Sequence, residues 1–144
     1  MANYNCVQRT NYFHVKDSEA FRELMEKVEA EDLRYWEEKD EDGNLTFAFG
    51  CHGNIAGIPF QDDVGAMVTD EDSYEDFLTE LQKCVDEHDA IILIESGHEK
   101  LRYISGIATV ITRDSIEYLV LSKTALGLAR RMLGNEQYDP RMDY

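Results

Sequence analysis

Cys84 and His88 stand four residues apart, the spacing that sets two metal ligands on one face of a helix. Cys51-His52 is a second cysteine–histidine pair. The four would make a zinc set if the fold gathered them. No CxxC or HxxxH supports that reading, and Cys84 falls on an apolar helical stripe, where free cysteine serves as a small core residue. A thiol nucleophile would need Cys51 beside His14, His52 or His98, and no local spacing joins them. Asp70-x-Asp72 with Glu75 lacks the central glycine and the remaining ligands of a calcium loop, and marks a helix start instead. Gly50–Gly57 (GCHGNIAG) is glycine-rich. A phosphate loop needs a helix directly after it, however, and here a strand-like run and Pro59 follow, with no Walker lysine. No acid–base pair stands out among thirty acids. The expectation is a chain with no catalytic residue, no metal and no cofactor.

The acids themselves are the dominant feature. Residues 17–89 hold twenty-three Asp and Glu against five Lys and Arg, a balance of −18, while the rest of the chain carries +2. The net charge of −16 therefore lies in one segment. A pI near 4.4 argues against direct binding to nucleic acid or to an anionic membrane. It suits a basic partner surface, or simple solubility.

The elements that must position these acids can be read in order. Cys6–Val15 is strand-like. Asp17 or Ser18 caps a helix with the stripe Phe21, Leu24, Met25 and Val28; its outer face offers the pairs Arg22–Glu26 and Glu23–Lys27. Leu33–Lys39 and Leu45–Cys51 flank Asp42-Gly43, a hairpin signal. Gly53–Phe60 reads as a short strand at an edge, or one ended by Pro59. Gln61–Asp72 reads as a loop. Ser73 caps a second helix to about Glu87, with the stripe Phe77, Leu78, Leu81, Cys84 and Val85. On its other face only Lys83 answers the acids. Ala90–Glu95 is a near-continuous apolar run, expected as a central strand. Ser96–Glu99 reads as a turn, Lys100–Thr112 as a long strand with a bend at Gly106, and Ser115–Leu121 as another strand. Lys123–Leu133 is a last helix with Leu126, Ala129 and Leu133 on one side, ended by Gly134. Eight tyrosines read as half-buried sheet positions, some at an interface edge.

This order predicts an α+β fold: an antiparallel sheet of five to seven strands with two or three helices packed on one face. Asp17-Ser18 and Asp72-Ser73 each begin a helix followed by a hairpin, which suggests a duplicated helix–hairpin unit. At 144 residues one domain is expected, residues 1–134, with 135–144 as a loose tail. No apolar run reaches the ~20 residues of a membrane span. The first residues do not have the pattern of a secretion signal, and three spaced cysteines do not form a disulfide framework. A cytoplasmic protein is the expectation.

Arg9–Asp17 (RTNYFHVKD), Phe49–Gly57 (FGCHGNIAG) and Glu99–Ala108 (EKLRYISGIA) resemble stretches of small acidic accessory proteins from mobile elements of Gram-positive gut bacteria. The resemblance spans most of the chain and carries no residue roles. It implies a neighbourhood rich in anti-defence proteins, among them anti-CRISPR and antirestriction proteins, some of which are acidic mimics of DNA.

Two functions are thus expected in order. The first is a non-enzymatic inhibitor whose acids imitate nucleic acid and occupy a basic nucleic-acid-binding partner, such as a CRISPR or restriction effector. Its contact residues are Asp62, Asp63, Asp70, Glu71, Asp72, Glu75, Asp76, Glu80 and Asp86. The second is an α+β binding module with a solubilising acidic surface, as a homodimer that binds a small ligand.

Overall fold

The fold was analysed in a computed structural model, which describes residues 4–141. The tail expected over 135–144 therefore lies outside the described residues at 142–144. The main sheet has six strands: β1 (Asn5–Thr10), β3 (Arg34–Lys39), β4 (Leu45–His52), β8 (Ile91–Glu99), β9 (Tyr103–Ile111) and β10 (Ile116–Val120). They stand in the order β10-β9-β8-β1-β4-β3, every neighbouring pair antiparallel. Two small ribbons lie beside it. One pairs β2 (Glu29–Ala30) with β5 (Ile55–Gly57), the other β6 (Phe60–Gln61) with β7 (Met67–Val68). The helices are α1 (Ser18–Lys27), α2 (Glu71–Cys84) and α3 (Leu121–Leu133). The fold is α+β, as the element order predicts.

α1 and α2 pack on one face of the sheet. Phe13, Phe21, Phe47, Phe49, Phe77, Leu81, Ile91 and Ile111 are fully buried between the layers. Phe21 stacks within 4.7 Å of Phe47, and Phe49 meets Phe77 edge-on at 5.9 Å. These aromatic contacts join both helical stripes to β4. The duplicated unit has a limited counterpart: each helix precedes a hairpin, β3–β4 or β8–β9. The hairpins meet β1 in opposite ways, however, since β4 is the second strand of its pair and β8 the first of its own.

Several boundaries differ from those predicted. α2 is capped by Asp70, not Ser73: Asp70 accepts the Asp72 N–H at 2.9 Å, while the Ser73 hydroxyl accepts the Asp70 N–H at 3.0 Å, a capping box. It ends at Cys84, not Glu87, because the next residues turn to the sheet side. Lys16 N–H donates to the Cys84 carbonyl and Asp86 N–H to the His14 carbonyl. The expected loop Gln61–Asp72 contains the β6–β7 ribbon, whose turn is held by Asp62. Ser96–Glu99 does not turn; β8 runs to Glu99, and the reversal follows with Lys100 at φ 50°. Gly106 makes no bend, since its register with Ser96 is unbroken. It makes room: a Cβ there would stand 3.0 Å from the side chain of Leu121, the first residue of α3. In α1, Arg22 bonds Glu19 and reaches across to Glu37 of β3 at 2.7 Å, rather than pairing with Glu26.

Candidate functional site

The acids proposed as a partner surface sort by what holds them. Asp62 accepts the N–H groups of Val64 and Ala66, and so builds the tip of the β6–β7 ribbon. Asp70 caps α2. Asp86, beyond the helix, accepts the His88 N–H at 2.9 Å. Glu80 is paired with Lys83 at 3.3 Å. These four have local structural work. The other five, Asp63, Glu71, Asp72, Glu75 and Asp76, are exposed and make no ion pair among the described residues.

The geometry of α2 follows from its two faces. Phe77, Leu78 and Leu81 turn inward and are fully buried, so the positions between them must face water. At 100° per residue, Glu71, Asp72, Glu75 and Asp76 fall within one exposed arc. Their span is about 7.5 Å of axis at ~1.5 Å per residue. Glu71 and Asp72 also sit in the first turn, where the helix dipole favours negative charge. The helix is thus acidic where acids cost least. Gly57 fixes its seat: with φ +113°, a Cβ there would stand 2.1 Å from the Ser73 carbonyl oxygen, and the Ile58 N–H donates to that same oxygen at 3.0 Å.

The cysteines and histidines do not converge. Cys84 is buried, with its thiol raised by burial, while His88 is exposed past the helix end. Cys51 lies inward on β4, where burial pushes its thiol up to about 11; its Sγ faces the Gly53 carbonyl. Cys6 is half-buried and likewise raised by burial. A protonated thiol is a poor ligand and a poor nucleophile. His52 bonds Asp32 on the other side of β4. His14 is far along the sheet, held by two carboxylates: Nε2 to Asp40 at 2.7 Å and Nδ1 to Asp89 at 2.8 Å. Among the described residues no group of three or more His, Cys, Asp and Glu could hold a metal ion.

Two features escape the sequence reading. One is the His14–Asp40–Asp89 cluster, which joins three separate segments and has no local spacing to reveal it. The other is the far face of the sheet. Register places Val7, Arg9, Ile92, Ile94, Ile104 and Leu119 there, and all of these except Arg9 are exposed large apolar side chains. The signal existed in the apolar run Ala90–Glu95, which alternates buried and exposed in the fold. Among the described residues no helix is long and apolar enough to cross a membrane. No family model, curated protein or solved structure matches the chain.

Proposed function

We propose that the chain is a non-enzymatic interaction protein whose acidic helix occupies the basic nucleic-acid channel of another protein, as an anti-CRISPR or antirestriction protein would. The observation that supports it is the unpaired set Glu71, Asp72, Glu75 and Asp76 on one arc of α2, with Asp63 on the ribbon before it. Four carboxylates along about 7.5 Å of helix stand on average ~2.5 Å apart along the axis. Duplex DNA carries one charge per ~1.7 Å. A surface kept only for solubility gains from interspersed lysines, and the one lysine of α2, Lys83, is engaged by Glu80. A rigid helix also holds the charges in place without the ordering cost that a flexible acidic tail would bring.

The test is capture at low salt of basic nucleic-acid-binding proteins on the immobilised chain, with elution by salt or by competing duplex DNA. The variant carries Asp63→Lys, Glu75→Lys and Asp76→Lys, which spare the cap at Asp70 and the Glu80–Lys83 pair. The expected result is a partner released by both salt and DNA, and lost in the variant with its circular dichroism unchanged. Retention of every partner by the folded variant would overturn the reading. So would a partner that DNA does not displace.

A further inference from the structure

We infer that the cavity beside α2, between Tyr74 and Tyr118 with Glu95 on its floor, is a binding site for a guanidinium group. The site stands on its own geometry. Only the owner of the guanidinium, an arginine of the basic partner, rests on the function proposed above.

The register of the sheet builds the floor. Gln8, Glu95 and Ile107 lie in one row across β1, β8 and β9; Leu93, Thr109 and Tyr118 lie in the next, across β8, β9 and β10. These positions belong to the face on which α1 and α2 pack, where Leu93 is buried. Tyr74 of α2 forms a wall over them and closes a cavity of about 270 Å³. That is smaller than the ~300–1,000 Å³ of a pocket for a drug-sized molecule. It suits a single side-chain group.

The floor calls for a charged donor. Glu95 is half-buried and makes no ion pair among the described residues. The Tyr4 hydroxyl donates to its Oε2 at 2.7 Å, which leaves Oε1 as an acceptor. Gln8 is only 6% exposed. Its Nε2 donates to the Gly53 carbonyl at 3.0 Å, so its own oxygen is a second acceptor. A cation that donates hydrogen bonds answers both groups.

The walls select which cation. Burial, then the neighbouring Tyr118, pushes the Tyr74 phenol up to about 12. Burial, then Glu75, raises that of Tyr118. Both rings stay neutral and attract a cation through their π faces. A planar guanidinium stacks on such a ring while its edge N–H groups reach a carboxylate; a compact ammonium has no plane to stack. Among the described residues no lysine or arginine lines the cavity. Glu75 belongs to the exposed acidic arc, so the mouth opens beside it, on a chain of net charge −16. That field draws cations in. In the proposed complex one arginine of the channel enters the cavity while its neighbours meet the acids of α2. A diffuse attraction thereby gains a fixed register.

Titration of the full chain with Nα-acetyl-arginine amide, followed by NMR at about 150 mM salt, tests the site without any partner. The Tyr74 and Tyr118 ring signals should shift saturably, with a Kd on the order of 1 mM, and the electroneutral citrulline analogue should leave them in place. Glu95→Gln preserves shape and removes one of thirty acids, so attraction to the general field would survive it. It should weaken the amide at least ~10-fold. Tyr118→Ala, at a side chain 53% exposed, should weaken it about 3-fold. Equal binding to Glu95→Gln, an equal response to the citrulline analogue, or no shift at about 20 mM amide overturns the site. A partner captured through the acids of α2 would stand in each of those cases. Where the amide binds, capture at least ~10-fold weaker in Glu95→Gln assigns the guanidinium to the partner. Capture equal to wild type overturns that assignment and gives the cavity to a free guanidinium compound.

Discussion

His14 is a residue whose environment is set entirely by distant segments. Its ring lies between Asp40, which also holds the β3–β4 turn through the N–H groups of Asp42 and Asn44, and Asp89, which also accepts the His14 N–H. The hydrogen bond to Asp40, then that to Asp89, raises the imidazole above its ordinary value against a small desolvation effect. Asp40 is lowered, first by His14 and then by the turn N–H groups. At Asp89 burial pushes upward, but the bonds from His14 and from the Ala90 N–H together outweigh it and the net shift is down. The signs follow from linkage. A raised histidine stabilises fully below about 6.5 and loses that contribution as pH climbs through its folded value. Lowered aspartates stabilise above about 3.9 and lose it as pH falls through theirs. The cluster therefore contributes most between roughly pH 4 and 6.5. Urea denaturation should show His14→Gln markedly less stable than wild type near pH 5.5, with the gap narrowing by about pH 8. A gap that is constant with pH would mean that the ring acts by packing alone. None of this could be read from the sequence, because residues 14, 40 and 89 share no motif and meet only once the sheet forms.

At the scale of elements, the stripes were legible and the ends were not. Phe21, Leu24 and Met25, and Phe77, Leu78 and Leu81, are buried as their spacing requires. Phe77→Ala should cost about 3–5 kcal/mol in chemical denaturation, the range for a fully buried phenylalanine, because it empties the contact with Phe49. A loss below ~1 kcal/mol would mean that α2 is not seated on β4 as described. The ends of α2 depended on non-local partners. Its start is fixed by the Asp70–Ser73 exchange and by Gly57 of β5, and its stop by hydrogen bonds from residues 14–16. Periodicity carries no information on such partners. The same reasoning makes Gly57 a sharp test. Gly57→Ala combines a positive φ with a collision against the Ser73 carbonyl, and should destabilise by on the order of 2 kcal/mol or more. Gly43, also at positive φ but with open space around it, should lose only about 1 kcal/mol on the same change. Equal losses at the two sites would remove the close approach of β5 and α2 as the cause.

For the whole molecule, most of a block of charge in sequence has come to one side of the sheet. Residues 17–89 supply α1, α2, both acidic hairpin tips and the sheet strands β3 and β4, whereas β1, β8, β9, β10 and α3 come from outside that block. The segregation was therefore visible before the fold, although which face of the sheet the helices would take, and what they would leave bare, was not. The consequence is a crowded acidic side whose self-repulsion opposes folding. Raising sodium chloride from about 20 mM to about 500 mM shortens the screening length from ~20 Å to ~4 Å, below the spacing of many of these carboxylates. Relief of ~1 kcal/mol would raise the melting temperature by roughly 3–5 °C for a chain of this length. Asp63→Lys, Glu75→Lys and Asp76→Lys each add two positive charges and bring the net from −16 to −10. In that triple variant the low-salt melting temperature should rise and the salt increment should shrink. The comparison is made at one protein concentration, so that any association is common to both chains. A wild-type melting temperature that does not move with salt would show that these carboxylates are too far apart to build a concentrated field. A field that weak could not compete with a nucleic acid for a basic channel, whatever the local spacing along α2.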